Sequence, residues 1–146
     1  MNIIEIDKNE LQWIRSLWEE LNALHGSRST HSKDHFANFT FERRIEMLMD
    51  REHLVVFAVQ SAIELVGYCI ATANGGSGEL DSLYVRKAYR GAGLGARLSN
   101  RALEWLNMMG CTEIRVAVAE GNEEAIPFYQ RLGFQERFRV LQLKKP

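Results

Sequence analysis

The chain has 146 residues, 46% hydrophobic and 25% charged, with a formal net charge of −1. That length suits one domain, residues 1–146, with a core large enough to fold without staples. The near-neutral charge gives no electrostatic reason to expect nucleic acid or an anionic membrane as partner.

Met1 to Lys8 carries Glu5 and Asp7 and no long apolar run, so no secretory signal is expected there. No run of about 18 apolar residues is present to suggest a membrane span. Two cysteines, Cys69 and Cys111, make no disulfide framework and read as buried free thiols. A reducing cytoplasm is the expected compartment.

Ile3 to Ile6 alternates loosely and reads as a short strand. Asp7 and Glu10 have capping-box spacing, and Leu11, Ile14, Leu17, Trp18 and Leu21 follow at helical spacing. His25 to Phe39 has no clear period and reads as a loop or short helix. Thr40 can cap a helix carrying Phe41, Ile45, Leu48 and Met49. Leu54–Val59 and Leu65–Ala73 are nearly continuous apolar runs, as in strands covered on both faces, and their short link suggests a hairpin. Asn74 to Gly78 is a turn, and Glu79–Val85 is the next strand. Leu94, Leu98, Trp105, Leu106 and Met109 mark a long helix that Gly110 can end. Ile114–Ala119 is a strand, Ala125–Leu132 a short helix stopped by Gly133, and Phe134–Leu143 one or more closing strands. Pro127 suits only a first helical turn, which moves the helix start towards Ile126. This order predicts an α/β (mixed α+β) fold, with a central mixed sheet and helices on both faces.

The segment ELDSLYVRKAYRGAGLGARLSNR, residues 79–101, carries the chemistry. A strand runs through a short loop into Arg90-Gly91-Ala92-Gly93-Leu94-Gly95-Ala96, which opens a helix. The first helical turn offers unpaired N–H groups and the positive end of the macrodipole, and glycines let a ligand approach the backbone. With Arg90 beside them, a pyrophosphate fits. Gly91, Gly93 and Ala96 also satisfy the dinucleotide fingerprint, with Glu113 about 20 residues beyond Gly93. Against a nicotinamide-binding enzyme, five residues separate Val85 from Gly91, and too little chain follows for two mononucleotide halves. No Gly-Lys-Ser/Thr follows for a P-loop, and a turn that merely packs helix on strand needs fewer glycines.

Arg90, Gly93 and Gly95 resemble the Arg/Gln-x-x-Gly-x-Gly/Ala motif of GCN5-related N-acetyltransferases. Asn122, Ala125, Tyr129, Leu132, Gly133 and Phe134 resemble that family's second signature, and the likeness runs from about Leu54 to Phe134. The resemblance implies a twisted sheet splayed between its fourth and fifth strands. It also implies acetyl-CoA as co-substrate and transfer of acetyl to a primary amine, with no metal. Cofactor contacts carried over are Leu83, Tyr84, Val85, Arg90, Gly91, Ala92, Gly93, Leu94, Gly95, Ala96, Asn122, Ala125, Tyr129 and Arg131. The backbone near Leu83 would polarise the thioester carbonyl, Asn122 would meet the pantetheine amide, and Arg131 would reach the CoA phosphates. A homodimer, common among such proteins, is carried over too.

An ordinary lysine-like amine has a pKa of about 10.4, so attack at pH 7 carries a handicap of roughly 4 kcal/mol. Asp81 or Glu79, two apart on one strand and on one face unless a bulge intervenes, could take the proton; an ordered water chain could also. By position Tyr129 matches the family's general acid, although a tyrosine on an apolar helix face is often only core. His31 and His35 stand four apart without an HExxH motif, so lining an acceptor pocket with Phe36 and Phe39 suits them better than a metal. Glu79, Asp81 and Glu120 would suit a cationic acceptor. A non-catalytic acyl-CoA sensor with the same fold is the alternative.

Overall fold

A computed structural model of the chain describes residues 1–145. Five strands form one sheet in the order β1-β2-β3-β4-β5: β1 (Asn2–Ile6), β2 (His53–Ser61), β3 (Glu64–Asn74), β4 (Ser77–Val85) and β5 (Glu113–Val116). The first four are antiparallel neighbours, and β5 lies parallel to β4. A parallel neighbour needs a crossover, supplied here by α4 (Leu94–Met108).

The apolar runs of β2 and β3 are covered on both sides. Val55, Phe57 and Val59 of β2, with Cys69 and Ala71 of β3, pack with Leu94, Leu98, Ala102 and Leu106 of α4. Val56, Ala58, Tyr68 and Ile70 point the other way, into a second core. That core is filled by Leu11 and Ile14, by Leu17 and Trp18 of α1 (Arg15–Arg28), and by Phe41 and Leu48 of α3 (Phe41–Met49). Period-two alternation thus serves two helical layers.

Local signals set several boundaries. The Asp7–Glu10 capping box forms, but it opens a 3-10 segment, Lys8–Ile14, that runs into α1. Thr40 Oγ1 accepts from the Arg43 N–H and starts α3. Gly110 and Gly133 take positive φ, 81° and 109°, at the ends of α4 and α5 (Ile126–Arg131). α5 begins at Ile126, which places Pro127 in its first turn. Cys69 and Cys111 are buried free thiols.

The structure differs from the sequence expectations at three places. His25–Phe39 is mostly helical: α1 runs on to Arg28, and α2 (Lys33–Asn38) follows. β5 ends at Val116 rather than Ala119. Residues 134–145 form no strand. Phe138, Val140, Leu141 and Leu143 are exposed there; the ion pair Arg137–Glu113 reaches β5, and Arg139–Glu136 lies within the segment. Strand-forming composition requires a partner edge before it becomes a strand, and this segment has no ladder among the described residues.

Gly78 shows how tightly α4 is seated. A Cβ there would lie 2.7 Å from Leu106 Cδ2 and 3.0 Å from Cys111 Sγ. Gly78→Ala should therefore cost about 1–3 kcal/mol in urea unfolding. An unchanged midpoint would show that α4 has room to move off the sheet.

Candidate active site

β4 carries the site because its two edges are treated differently. Its inner edge pairs with β3 along its length, from Ser77↔Asn74 to Val85↔Gly67. Its outer edge pairs with β5 only from Ser77 to Leu80. From Asp81 to Val85 no strand among the described residues lies beside the outer edge, which is the opening between the fourth and fifth strands.

A bulge lies at the start of this opening. Ser82 pairs with Ile70 and Leu80 with Ala71, so Asp81 is the extra residue on β4. Its carbonyl leaves the ladder and accepts from Arg44 Nη2 of α3 at 2.9 Å. Its carboxylate Oδ2 accepts from Thr72 Oγ1 at 2.7 Å. Burial pushes the Asp81 carboxyl up to about 6; the Thr72 hydroxyl opposes this, and Glu79 adds to it. Glu79 is partly buried, 3.7 Å from Arg51 Nη2. Leu80 points into the α4-side core, so Glu79 and Asp81 share the opposite face, that of α1 and α3. Ser82, bonded to Tyr68 Oη of that second core at 2.7 Å, joins them because of the bulge.

Past Val85, Arg90 Nε donates to the Val85 carbonyl at 2.7 Å, and its guanidinium stands 5.5 Å from the Tyr84 ring centroid. Tyr84 Oη donates to Glu20 of α1, which leaves the β4 backbone facing the opening. Gly91 and Gly93 take positive φ, 88° and 78°, and a Cβ on either would meet nothing within 4 Å. Gly93 caps α4, whose first turn contains Leu94, Gly95 and Ala96. Leu94 points into the core; Gly91 and Ala92 are exposed. The loop therefore presents amides with open space before them, a cradle that fits a diphosphate.

Tyr129 of α5 packs on the α4-side core, with its ring edge-on to Phe128 and Phe134. Burial pushes its phenol up to about 12, and the buried Cys69 adds to this, so Tyr129 stays protonated at neutral pH. Cys69 itself is raised to about 12 by burial and by Asp81. Arg131 is exposed on the last turn of α5, and Ala125 closes the 3-10 turn before it.

Asn122 Oδ1 accepts from Arg28 Nη1 at 3.0 Å, and Arg28 also pairs with Glu124. Glu120 accepts from Ser29 Oγ and from the N–H groups of Thr30 and His31. Those donors hold its carboxyl down at about 2. Among the described residues no hydrogen bond or ion pair joins His31, His35 or Phe39 to Glu79 or Asp81. His35 stacks on Phe39, ring centroids 5.0 Å apart, beside a concavity of about 310 Å³ lined by Asp34, His35, Asn38 and Phe39. Among the described residues no group of His, Cys, Asp and Glu is placed to hold a metal. No helix among them is long and apolar enough to cross a membrane.

Sequence reasoning missed Thr72, Arg44, Arg28 and Ser29. Thr72 had a signal, the one aliphatic hydroxyl inside the apolar run Val66–Ala73. Arg44, Arg28 and Ser29 had none, because their partners lie 37, 94 and 91 residues away.

A mixed sheet that opens beside a glycine-rich helix start defines the class of fold seen in CoA-linked acetyltransferases. A structure of an aminoglycoside N-acetyltransferase in complex with CoA superposes with a TM-score of 0.70 at 21% identity, over 99% of each chain. A Bacillus halodurans protein superposes at 0.78 and 18% identity, over 99% of this chain and all of its own. The acetyltransferase (GNAT) family profile matches residues 12–134, and the chain belongs to that family. A thialysine N-epsilon-acetyltransferase of Bos taurus is 35% identical over 57 residues, 39% of this chain and 34% of that protein. An uncharacterized N-acetyltransferase of Methanocaldococcus jannaschii is 37% identical over 59 residues, 40% of this chain and 26% of its own. These matches span well under half the length of either curated relative.

A carboxyl raised from 3.8 to about 6 costs stability at neutral pH. Its folded form favours the proton, so its contribution is full below about pH 4 and lost as pH rises through about 6. Asp81→Asn should therefore be more stable than the parent at pH 7 by about 1–3 kcal/mol, a gain that disappears near pH 4. Equal pH dependence of the two thermal midpoints would refute the raised pKa.

Proposed function

We propose that this chain moves an acetyl group from acetyl-CoA to the primary amine of a cationic small molecule or a peptide. One observation carries the reading. A single strand–loop–helix unit places a bulged acid with a raised pKa at one end of an unpaired strand edge and an open glycine cradle at the other.

The amides from Gly91 to Ala96 would hold the diphosphate of CoA, with Arg90 beside them. The unpaired edge from Ser82 to Val85 would accept the pantetheine arm as an added strand. Its N–H groups, Leu83 in particular, would face the thioester carbonyl, where charge develops on attack. Arg131 would reach the outer phosphates, Ala125 would let the arm pass, and Asn122 would turn from Arg28 to the pantetheine amide.

Proton transfer at the two ends of the reaction falls to two side chains. Asp81 accepts the proton that leaves the attacking nitrogen. A carboxylate raised to about 6 is a stronger base than an ordinary one near 3.8, and Oδ1 accepts no hydrogen bond from the described residues. Glu79, partly neutralised by Arg51, fits a role in attracting the cationic acceptor better than that of base. Tyr129, protonated because it is buried, gives its proton to the departing thiolate. The substrates for which those relatives are named, thialysine and an aminoglycoside, are cationic amines, which agrees with the acids around the opening. Two buried free thiols suit a reducing cytoplasm.

Turnover of acetyl-CoA with thialysine or neamine as acceptor tests the reaction. Tyr129→Phe should lower kcat about 100-fold while CoA affinity stays within about twofold. Arg90→Glu should weaken CoA binding about tenfold or more. Tight CoA binding without transfer to any amine would instead make the chain a sensor of acyl-CoA. The pH profile of kcat/KM should carry a limb near pH 6 that moves upward in Thr72→Val, because the lost hydroxyl no longer stabilises the charged carboxylate. A limb that stays in place would remove Asp81 as the base.

A further inference from the structure

Two loops distant in sequence are locked together at the α1 end of the opening. Ser29, Thr30 and His31 form the link between α1 and α2. Glu120 lies in the loop that follows β5. Its Oε1 accepts from Ser29 Oγ at 2.7 Å and from the His31 N–H at 2.8 Å, and its Oε2 from the Thr30 N–H at 2.9 Å. Ser29 Oγ in turn accepts from the Ser32 N–H, the residue before α2. Ser29 is 1% exposed although it is polar, so its hydroxyl depends on this partner. Beside it, Gly121 has φ 94°, and its Cα sits so close to Arg28 that a Cβ would lie 2.4 Å from the Arg28 carbonyl oxygen. Arg28 then reaches over to Asn122 and Glu124.

One carboxylate thus collects three donors from the α1–α2 link. The loop leads directly into α2, which carries His35 and is followed by Phe39. Glu120 is consequently not free to meet an acceptor cation. A carboxylate that accepts several N–H bonds holds its partners more firmly than a neutral group would.

We infer that Glu120 is a positioning residue, which fixes the α1–α2 link and so sets where α2 stands, with the concavity beside His35 and Phe39 taken as a wall of the acceptor pocket. The inference rests on the transfer reaction proposed above for the role of that wall. The clasp itself is a statement about structure alone. Glu120 acts through α2 and touches neither acetyl donor nor acceptor.

The test combines single-residue amide hydrogen exchange with steady-state kinetics on the full chain. The variants are Glu120→Ala and Glu120→Gln, with Ser29→Ala as a milder change should Glu120→Ala fail to fold. In Glu120→Ala, the Thr30 and His31 amides should lose protection, together with the Phe36 amide, which bonds to the Ser32 carbonyl in α2. With thialysine or neamine, the amine KM should rise about tenfold while kcat and CoA affinity change less than about threefold. Glu120→Gln, which keeps one acceptor oxygen, should fall between the two. A merely structural role would lower kcat and CoA affinity together, and that result overturns the inference. So does an unchanged amine KM, or a Phe36 amide that keeps its protection. If the parent protein acetylates neither probe, the transfer reaction fails, and the exchange data alone uphold or overturn the clasp.

Discussion

The unpaired outer edge of β4 is the constraint from which the rest of the site follows. A strand edge left open in a domain exposes a row of backbone donors and acceptors that calls for a partner. Here the opening arises because β5 is only four residues long and stops at Val116. The sheet is held closed at the Ser77–Leu80 end by the β4–β5 ladder and by α4, whose Leu106 and neighbouring Cys111 press on Gly78. It is open at the other end, where the chain turns through Arg90 into the glycine loop. The same strand is therefore paired on both edges over its first half and on one edge over its second.

The bulge at Asp81 marks the boundary between those halves, and its charges are arranged with unequal care. Glu79 has a counter-ion in Arg51. Asp81 has a hydroxyl donor and a buried setting, and Arg44 spends its bond on the main-chain carbonyl rather than the carboxylate. Two acids two residues apart thus acquire different properties. Asp81, raised to about 6 by burial, can exchange a proton near neutral pH, and the chain bears the loss of stability there. Strain of this kind, confined to one residue and supported by its neighbours, is characteristic of functional sites.

The α1–α2 link and the β5–α5 loop show a different economy. Neither has the apolar content to hold itself in place, and each supplies what the other lacks: one carboxylate, three donors and an arginine reaching across. A glycine in the left-handed region allows the close approach. Two loops about 90 residues apart in the chain are in this way made into one body.

Much of this was written in the residue order. The two-sided apolar runs fixed β2 and β3 as central strands, because no solvent-facing strand tolerates them. Asp7, Thr40, Gly110 and Gly133 set boundaries through local hydrogen bonding and backbone freedom, which need no distant partner. Gly91 and Gly93 marked an open helix start for the same local reason, and both take positive φ. The closing strand expected over Phe134–Leu143 is absent, since a strand is a property of a pair of segments and only one of the two can be read in advance. Asp81 could be named from its position, but its raised pKa could not. That depends on burial, against which the Thr72 hydroxyl works, and on a bulge that exists only once β3 and β4 are in register. Glu120 looked like an acid awaiting a cation until folding set three donors against it. Short-range chemistry is legible along the chain; the value of a charge is decided by what long-range packing brings beside it.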